Sequence, residues 1–280
     1  MVTSNQTALH RHNTQSGQTG QHCQTLIQIT DTHLMANAGA TFLGINPEQS
    51  FHAVMADVLQ KYPDFDALIH TGDLAQEAQP KTYARYMAYM QQLNIDTFQV
   101  PGNHDDLNCF PLKQALPMPT VIDLEHWSII LLNTAVQGRI DGWIQEQQLQ
   151  CLVPILQQRQ DKHLILGCHH HPFDMKSAWI DQHKLKNTHA LTEILESTQN
   201  IKAVLCGHVH QDSIHTWNNI EFLSTPSTCV QFKPLQHDFA LDQIAPGYRC
   251  LHLNADGSFT SQVQRVYQGM QAIDNEIIGY

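Results

Sequence analysis

Short apolar runs alternate with longer amphipathic stretches along this chain, and the two periodicities separate its strands from its helices. Residues 25–30 (TLIQIT), 67–71 (ALIHT), 127–133 (WSIILLN), 163–167 (HLILG) and 201–206 (IKAVLC) predict buried strands, with a short one at 97–100. Between the first two, Asn46 and Pro47 supply an N-cap and a first-turn proline. Phe51, Val54, Met55, Val58 and Leu59 then recur at helical spacing. Tyr83, Tyr86, Met87, Met90 and Leu93 mark a second helical face, an aromatic and methionine stripe that periodicity assigns to the core. Residues 142–159 read as helical, with Pro154 expected to kink or end the helix. A further helix at 191–195 separates the last two strands, and residues 218–266 look β-rich. No internal repeat is visible. Strands alternating with helices indicate an α/β fold. One domain is expected over residues 24–280, behind a polar tail at 1–23 whose Gln, Thr, Ser, Asn and His content predicts disorder.

Composition narrows the class. The 280 residues are 42% apolar, enough for a sizeable core. No run approaches the roughly 18 apolar residues of a membrane span. The polar N-terminus lacks an apolar h-region, which argues against a secretory signal. Seven cysteines, odd in number and without a C-x-x-C pair, predict reduced thiols in a cytoplasm, with Cys168 and Cys206 as core residues. A net charge of −11, from 26 acidic against 15 basic residues, disfavours a nucleic-acid surface. The 19 histidines exceed ordinary usage; His10, His12 and His22 lie in the tail, and a metal site would account for others.

The residues just beyond each apolar strand carry the chemistry. After TLIQIT comes Asp31-Thr32-His33, and after ALIHT come Gly72 and Asp73. TFQV runs into Pro101-Gly102-Asn103-His104-Asp105, HLILGC into His169-His170-His171-Pro172, and IKAVLC into Gly207-His208-Val209-His210. In open α/β sheets ligands bind beyond the carboxyl ends of strands, so these five segments can share one crevice. Each segment alone has an ordinary reading: a turn dipeptide, a helix cap, a solvated loop. All five in order, each behind a buried strand, do not. Carboxylate oxygens and imidazoles without thiolates suit iron, manganese or zinc rather than a structural zinc cluster. One carboxylate can bridge two cations about 3.5–4 Å apart, as two-metal hydrolysis requires, and Asp73 is the best candidate bridge. Such a pair would polarise a phosphoryl oxygen and lower the pKa of bound water.

The order D-x-H, G-D, G-N-H-D, H, G-H-x-H, from Asp31 to His210, resembles the calcineurin-like metallophosphoesterase superfamily. The resemblance implies a four-layer α/β/β/α sandwich of two mixed sheets flanked by helices. It also implies one metal held by Asp31, His33, Asp73 and His210, and a second by Asp73, Asn103, His169 and His208. Any of the three adjacent histidines fits by composition; relatives reading H-H-P-P place the first, His169, on the metal, with His171 as runner-up. His104 would donate a proton to the leaving oxygen or orient the phosphate, which an imidazole suits. His33, Asp73, Asn103, His104, His169 and His210 would line the substrate phosphate. Two metals per chain are implied, iron or manganese first and zinc as an alternative.

Within that superfamily the chain is similar to bacterial 3′,5′-cyclic-AMP phosphodiesterases, from about Leu26 almost to Tyr280. ITDTHL, TGDLAQ, PGNHD, CGHVHQ, TPSTCVQFKP and IAPGYR carry the likeness. The last two contain no obvious ligand and read as scaffold. Protein phosphatases of the superfamily carry D-R-G after the second aspartate and a carboxylate partner for the catalytic histidine. Here Leu74 follows Asp73 and Gln76 takes the carboxylate's place, so the partner of His104 stays open. Purple acid phosphatases would have a tyrosine ligand in that segment, and none is there. The resemblance therefore implies hydrolysis of cyclic AMP to 5′-AMP, a small-molecule cyclic nucleotide substrate, and no nucleic-acid or membrane partner; it sets no oligomeric state. A broader phosphodiesterase, acting on glycerophosphodiesters, 2′,3′-cyclic nucleotides or phosphomonoesters, is the alternative. A non-catalytic nucleotide sensor would be expected to lack a ligand, and none is lacking.

Overall fold

The computed structural model describes residues 23–273 and Gly279; the expected tail, apart from Cys23, lies outside the described residues. Alternation along each strand decides how the layers stack. In β1 (Gln24–Ile29), Ile27 and Ile29 point toward α1 (Pro47–Lys61) and α2 (Pro80–Gln92), while Leu26 points the other way. There it meets Ile129 and Leu131 of β5 (Trp127–Leu131), Ile165 of β6 (His163–Gly167), and Ala203 and Leu205 of β7 (Ile201–Cys206). The remaining apolar positions of those strands, among them Ile130, Leu164, Leu166 and Val204, pack against α3 (Glu146–Gln157) and α5 (Thr188–Ser197). Helices, sheet, sheet, helices: the four layers are those that the resemblance implied.

The first sheet adds β2 (Ala67–His70), β3 (Phe98–Gln99), β12 (Gly247–Leu253) and β13 (Phe259–Arg265), in the order β13-β12-β1-β2-β3. The second adds β4 (Thr120–Asp123), β8 (Ser213–Trp217) and β9 (Ile220–Ser224), in the order β4-β5-β6-β7-β9-β8, and β10 (Gln231–Phe232) pairs separately with β11 (Leu241–Asp242). β1, β2 and β3 run parallel, as do β5, β6, β7 and β9, so each set releases its carboxyl ends at one edge of its sheet. A polar knot pins the two sheets together just beneath those edges. Gln28 Nε2 donates to Thr71 Oγ1 at 2.9 Å and to Cys206 O at 3.2 Å, and its Oε1 accepts from Thr225 Oγ1 at 2.6 Å.

The first helix begins as expected: the Asn46 side chain accepts from Gln49 N, and Pro47 opens the first turn. The helix expected over 142–159 begins later, at Glu146. Gly142 pairs with Leu185 and the Ile144 amide bonds to the Asn187 side chain, so both are committed elsewhere. Pro154 does not end it at once. It sits in the last turns, and burial of Leu152, Ile155 and Leu156 offsets its one missing bond until Gln157. β4, β8 and α4 (Ala178–Asp181) were not expected. β8 is a sheet-edge strand with three exposed residues, so it lacks the apolar run that marks the others. Among the described residues no helix is long and apolar enough to cross a membrane.

Candidate metal centre

Three of the five strand ends turn sharply where they deliver polar side chains. Asp31, His33, Asp73, His208 and His210 all adopt positive φ, between 47° and 67°. Non-glycine residues rarely accept that left-handed conformation, which costs on the order of 1–2 kcal/mol each. Five such residues at one place mark a site whose geometry is imposed by its surroundings. Two glycines make room. A Cβ on Gly72, at φ +99°, would lie 2.5 Å from His169 Nδ1, and one on Gly102 would meet the Asp73 backbone nitrogen at 2.5 Å.

The side chains form two clusters. In the first, His210 Nε2 lies 3.2 Å from Asp31 Oδ1 and 3.1 Å from His33 Nε2. In the second, His169 Nε2 lies 3.2 Å from each of Asn103 Oδ1, His208 Nδ1 and Asp73 Oδ2. Asp73 stands between them: the same Oδ2 is 3.9 Å from His33 Nε2 and has no hydrogen-bond partner, while Oδ1 accepts the His104 amide at 2.9 Å. Asp31, His33, Asp73, His169, His208 and His210 are buried, and Asn103 and His104 are half-buried.

Hydrogen bonds on the far side of each ring fix what faces inward. His210 Nδ1 donates to Val230 O at 2.8 Å and His169 Nδ1 to Thr71 O at 2.8 Å; a carbonyl can only accept, so the proton sits on Nδ1. His33 Nδ1 donates to Gln76 Oε1 at 2.8 Å. The neutral rings of His33 and His210 therefore turn the lone pairs of Nε2 toward each other. Burial drives the His33 imidazole down to about 3 against the pull of Asp73, so no proton relieves its face-off with His210. Burial opposes charge on His169 too, yet Asp73 beside it raises that ring to about 9. Asp31 and Asp73 overcome burial and titrate below the usual carboxylate range, Asp31 through His210 and Asp73 chiefly through His169. Lone pairs of His33 and His210 beside Asp31, and an Asp73 that draws a proton onto His169, form an arrangement that cations satisfy. Donor atoms about 2.1 Å from one cation at right angles stand about 3 Å apart, the spacing seen in both clusters. The residues fit a pair of metal ions.

All seven expected ligands and His104 are thus brought together. His171 is not: its Nε2 turns to Asp181 Oδ1 at 3.3 Å. His170 lies beside the second cluster, but both its nitrogens are engaged, with Thr134 Oγ1 at 2.8 Å and Ile140 O at 3.0 Å. Gln76, which stands where related enzymes carry a partner for the catalytic histidine, serves His33 instead.

The segment 225–234, which read as scaffold, is the back wall of the first cluster. Ser227 Oγ donates to Asp31 O at 2.6 Å, the Thr228 amide to Thr30 O at 3.1 Å, and Phe232 stacks on His210 at 3.9 Å and 10°. Phe42 lies over His33 at 5.2 Å and 22°. Thr30 Oγ1 donates to Asp31 Oδ2 at 2.6 Å, leaving Oδ1 for the cluster. Asp105 ties two turns together: it accepts from the amides of Gly102, Leu74 and Ala75 and from the Tyr83 hydroxyl. Burial and then Asp73 push its carboxyl up to about 7. Asp105 was visible in the G-N-H-D motif; the others carry no local sequence signal.

Comparison with known proteins agrees with this geometry. Residues 25–212 match the family model of the calcineurin-like phosphoesterases. The chain is 41% identical over 261 residues to the 3′,5′-cyclic adenosine monophosphate phosphodiesterase CpdA of Vibrio vulnificus, covering 91% of this chain and 94% of the relative. The protein of the same description in Escherichia coli K12 is 38% identical, with the same coverage. A 3′,5′-cyclic-nucleotide phosphodiesterase of Nostoc is 34% identical, over 86% of this chain and 92% of the relative. Among solved structures, a dimetal phosphatase from Danio rerio shares the fold with a TM-score of 0.60 at 16% identity, over 87% of this chain and 99% of that one.

Proposed function

The chain belongs to the calcineurin-like phosphoesterase family, and from that premise we propose that it hydrolyses 3′,5′-cyclic AMP to 5′-AMP at a pair of metal cations. The observation that carries the catalytic half of the proposal is the ring of inward-facing imidazole nitrogens, with Asp73 Oδ2 between the two clusters. The substrate half rests on relatives that are cyclic AMP phosphodiesterases over nine-tenths of the chain.

In this reading Asp31, His33 and His210 hold the first cation, Asn103, His169 and His208 the second, and Asp73 both. Bound cations supply Lewis-acid polarisation of the phosphoryl group and lower the pKa of water. The chain's own residues do the rest. Cleavage places a hydroxyl on phosphorus and requires a proton on the departing ribose oxygen, O3′. His104 delivers it: its amide is anchored on Asp73 Oδ1, and its ring stands edge-on to His33 at 5.1 Å. His33, Asp73, Asn103, His104, His169 and His210 surround the phosphate. The Asp, His and Asn donor set, without thiolate, suits iron or manganese, with zinc as an alternative. A cytoplasmic setting is part of the proposal and is supported by seven free cysteines.

The test is a substrate panel on metal-loaded protein. Release of 5′-AMP with kcat/KM above that for 2′,3′-cyclic AMP, glycerophosphodiesters and phosphomonoesters is expected. Better turnover of any of those would overturn the substrate assignment and leave the metal centre standing.

A further inference from the structure

His171 is buried, close in sequence to the proposed ligand His169, and outside both clusters. Its Nε2 donates to Asp181 Oδ1 at 3.3 Å. Asp181, at the end of α4, is itself held by the amides of Met175 at 2.7 Å and Ser177 at 3.2 Å. With the proton on Nε2, the Nδ1 of His171 is an acceptor, and it is buried without a partner. Next to it, the His208 ring stacks on His171 with centroids 5.6 Å apart and planes at 23°. His208 turns Nδ1 into the second cluster, 3.2 Å from His169 Nε2. A neutral ligand ring must then carry its proton on Nε2, and that atom too is buried without a partner. One orphaned donor and one orphaned acceptor thus sit on stacked rings. Each alone would cost on the order of 1–3 kcal/mol. A single water accepting from one and donating to the other satisfies both.

We propose that His171 is a positioning residue for His208, coupled to it through one buried water, so that Asp181 on α4 fixes the tautomer and tilt of a second-cluster ligand. The chain of contacts runs from Asp181 through His171 and the water to His208. It gives this ligand the far-side anchor that Val230, Thr71 and Gln76 give the other three imidazoles. The inference rests on the two-cation reading and assigns a role to residues outside it.

Stepwise manganese binding, followed by chelator competition and by counting bound ions per chain, tests it in the wild type, H171L, H171Q and D181A. The wild type is expected to hold two manganese ions. H171L should keep the first at wild-type affinity and hold the second about 10–100-fold more weakly, the usual effect of losing an outer partner. H171Q retains an acceptor and should recover most of that loss. Equal second-site affinity in H171L and wild type overturns the proposal. So does H171Q as weak as H171L, which would make bulk rather than hydrogen bonding the cause, or equal weakening of both ions. Should H171L fail to fold by circular dichroism, D181A, which removes the acceptor of His171 Nε2, decides: a selective loss at the second ion supports the proposal, and no loss overturns it. A wild-type chain that binds no pair overturns the metal reading itself, whereas a pair indifferent to His171 overturns this inference alone.

Discussion

The two halves of the centre are built from different material. Around Asp31, His33 and His210, each imidazole has its outer nitrogen tied to an oxygen and its face covered by a phenyl ring: Phe42 over His33, Phe232 over His210. Around Asn103, His169 and His208 the lining is imidazole. His170 packs on both rings with centroids at 4.8 Å, His171 stacks on His208, and one outer nitrogen has no direct partner. Asn103, on that side, is half-buried, while Asp31, His33 and His210 are sealed. One half is dry and fixed; the other is polar and reaches solvent. A low local dielectric strengthens the hold of charged donors on a cation, and an outer shell that can hydrate tolerates rearrangement. The fixed half is suited to retaining its ion, the polar half to meeting the substrate.

The largest expected effect erases the difference. Asp73 Oδ2 is the one atom shared by the halves, so D73A should reduce bound metal from two ions per chain to below one and lower turnover by more than about 10³-fold. Retention of one tightly held ion in D73A would show that the first half stands without its bridge. H104A comes next. The loss of the proposed proton donor should cost about 10²–10⁴ in kcat with metal content unchanged. Loss of metal in that variant would instead place His104 among the ligands.

A smaller effect tests the asymmetry directly. During titration of metal-loaded protein with a chelator, one ion should leave at least about tenfold more readily than the other, in line with the strength of outer-shell support. N103A should abolish the early step and spare the late one. A single-step release of both ions, or loss of the late step in N103A, would break the comparison.

How much of this could be read from the chain depends on the same contrast. Parallel strands buried on both faces are continuous apolar runs, so HLILG and IKAVLC gave their bounds without error, and the polar residues behind them stood out. The residues that cluster stand directly behind strand ends, so their candidacy was legible locally. Outer support is not local: His33 meets Gln76 at 43 positions' distance, Asp31 meets Ser227 at 196, and Val230 and Phe232 sit in a segment with no chemistry of its own. The left-handed backbone of five ligands is likewise invisible, because Asp and His announce no positive φ as glycine does. β8 escaped for the opposite reason: as an exposed edge strand it has no apolar run.

The smallest effect isolates the aromatic wall from the hydrogen bonds. Phe232 touches His210 only through its face, at 3.9 Å, and it is buried among Val230, Trp179 and Phe239. F232L keeps apolar bulk and the Val230 carbonyl while removing the flat ring. Aromatic pairing of this kind is worth roughly 0.5–1.5 kcal/mol beyond area, so the first ion should bind about 2–10-fold more weakly. The second should be unaltered, because among the described residues no phenyl ring is seen stacked on His169 or His208. Chelator competition on F232L reads both values in one experiment. A shift at the early-leaving ion instead, or at both equally, would mean that Phe232 supports the whole edge of the sheet rather than one ring. The dry half would then owe its fixity to Gln76, Val230 and Ser227 alone.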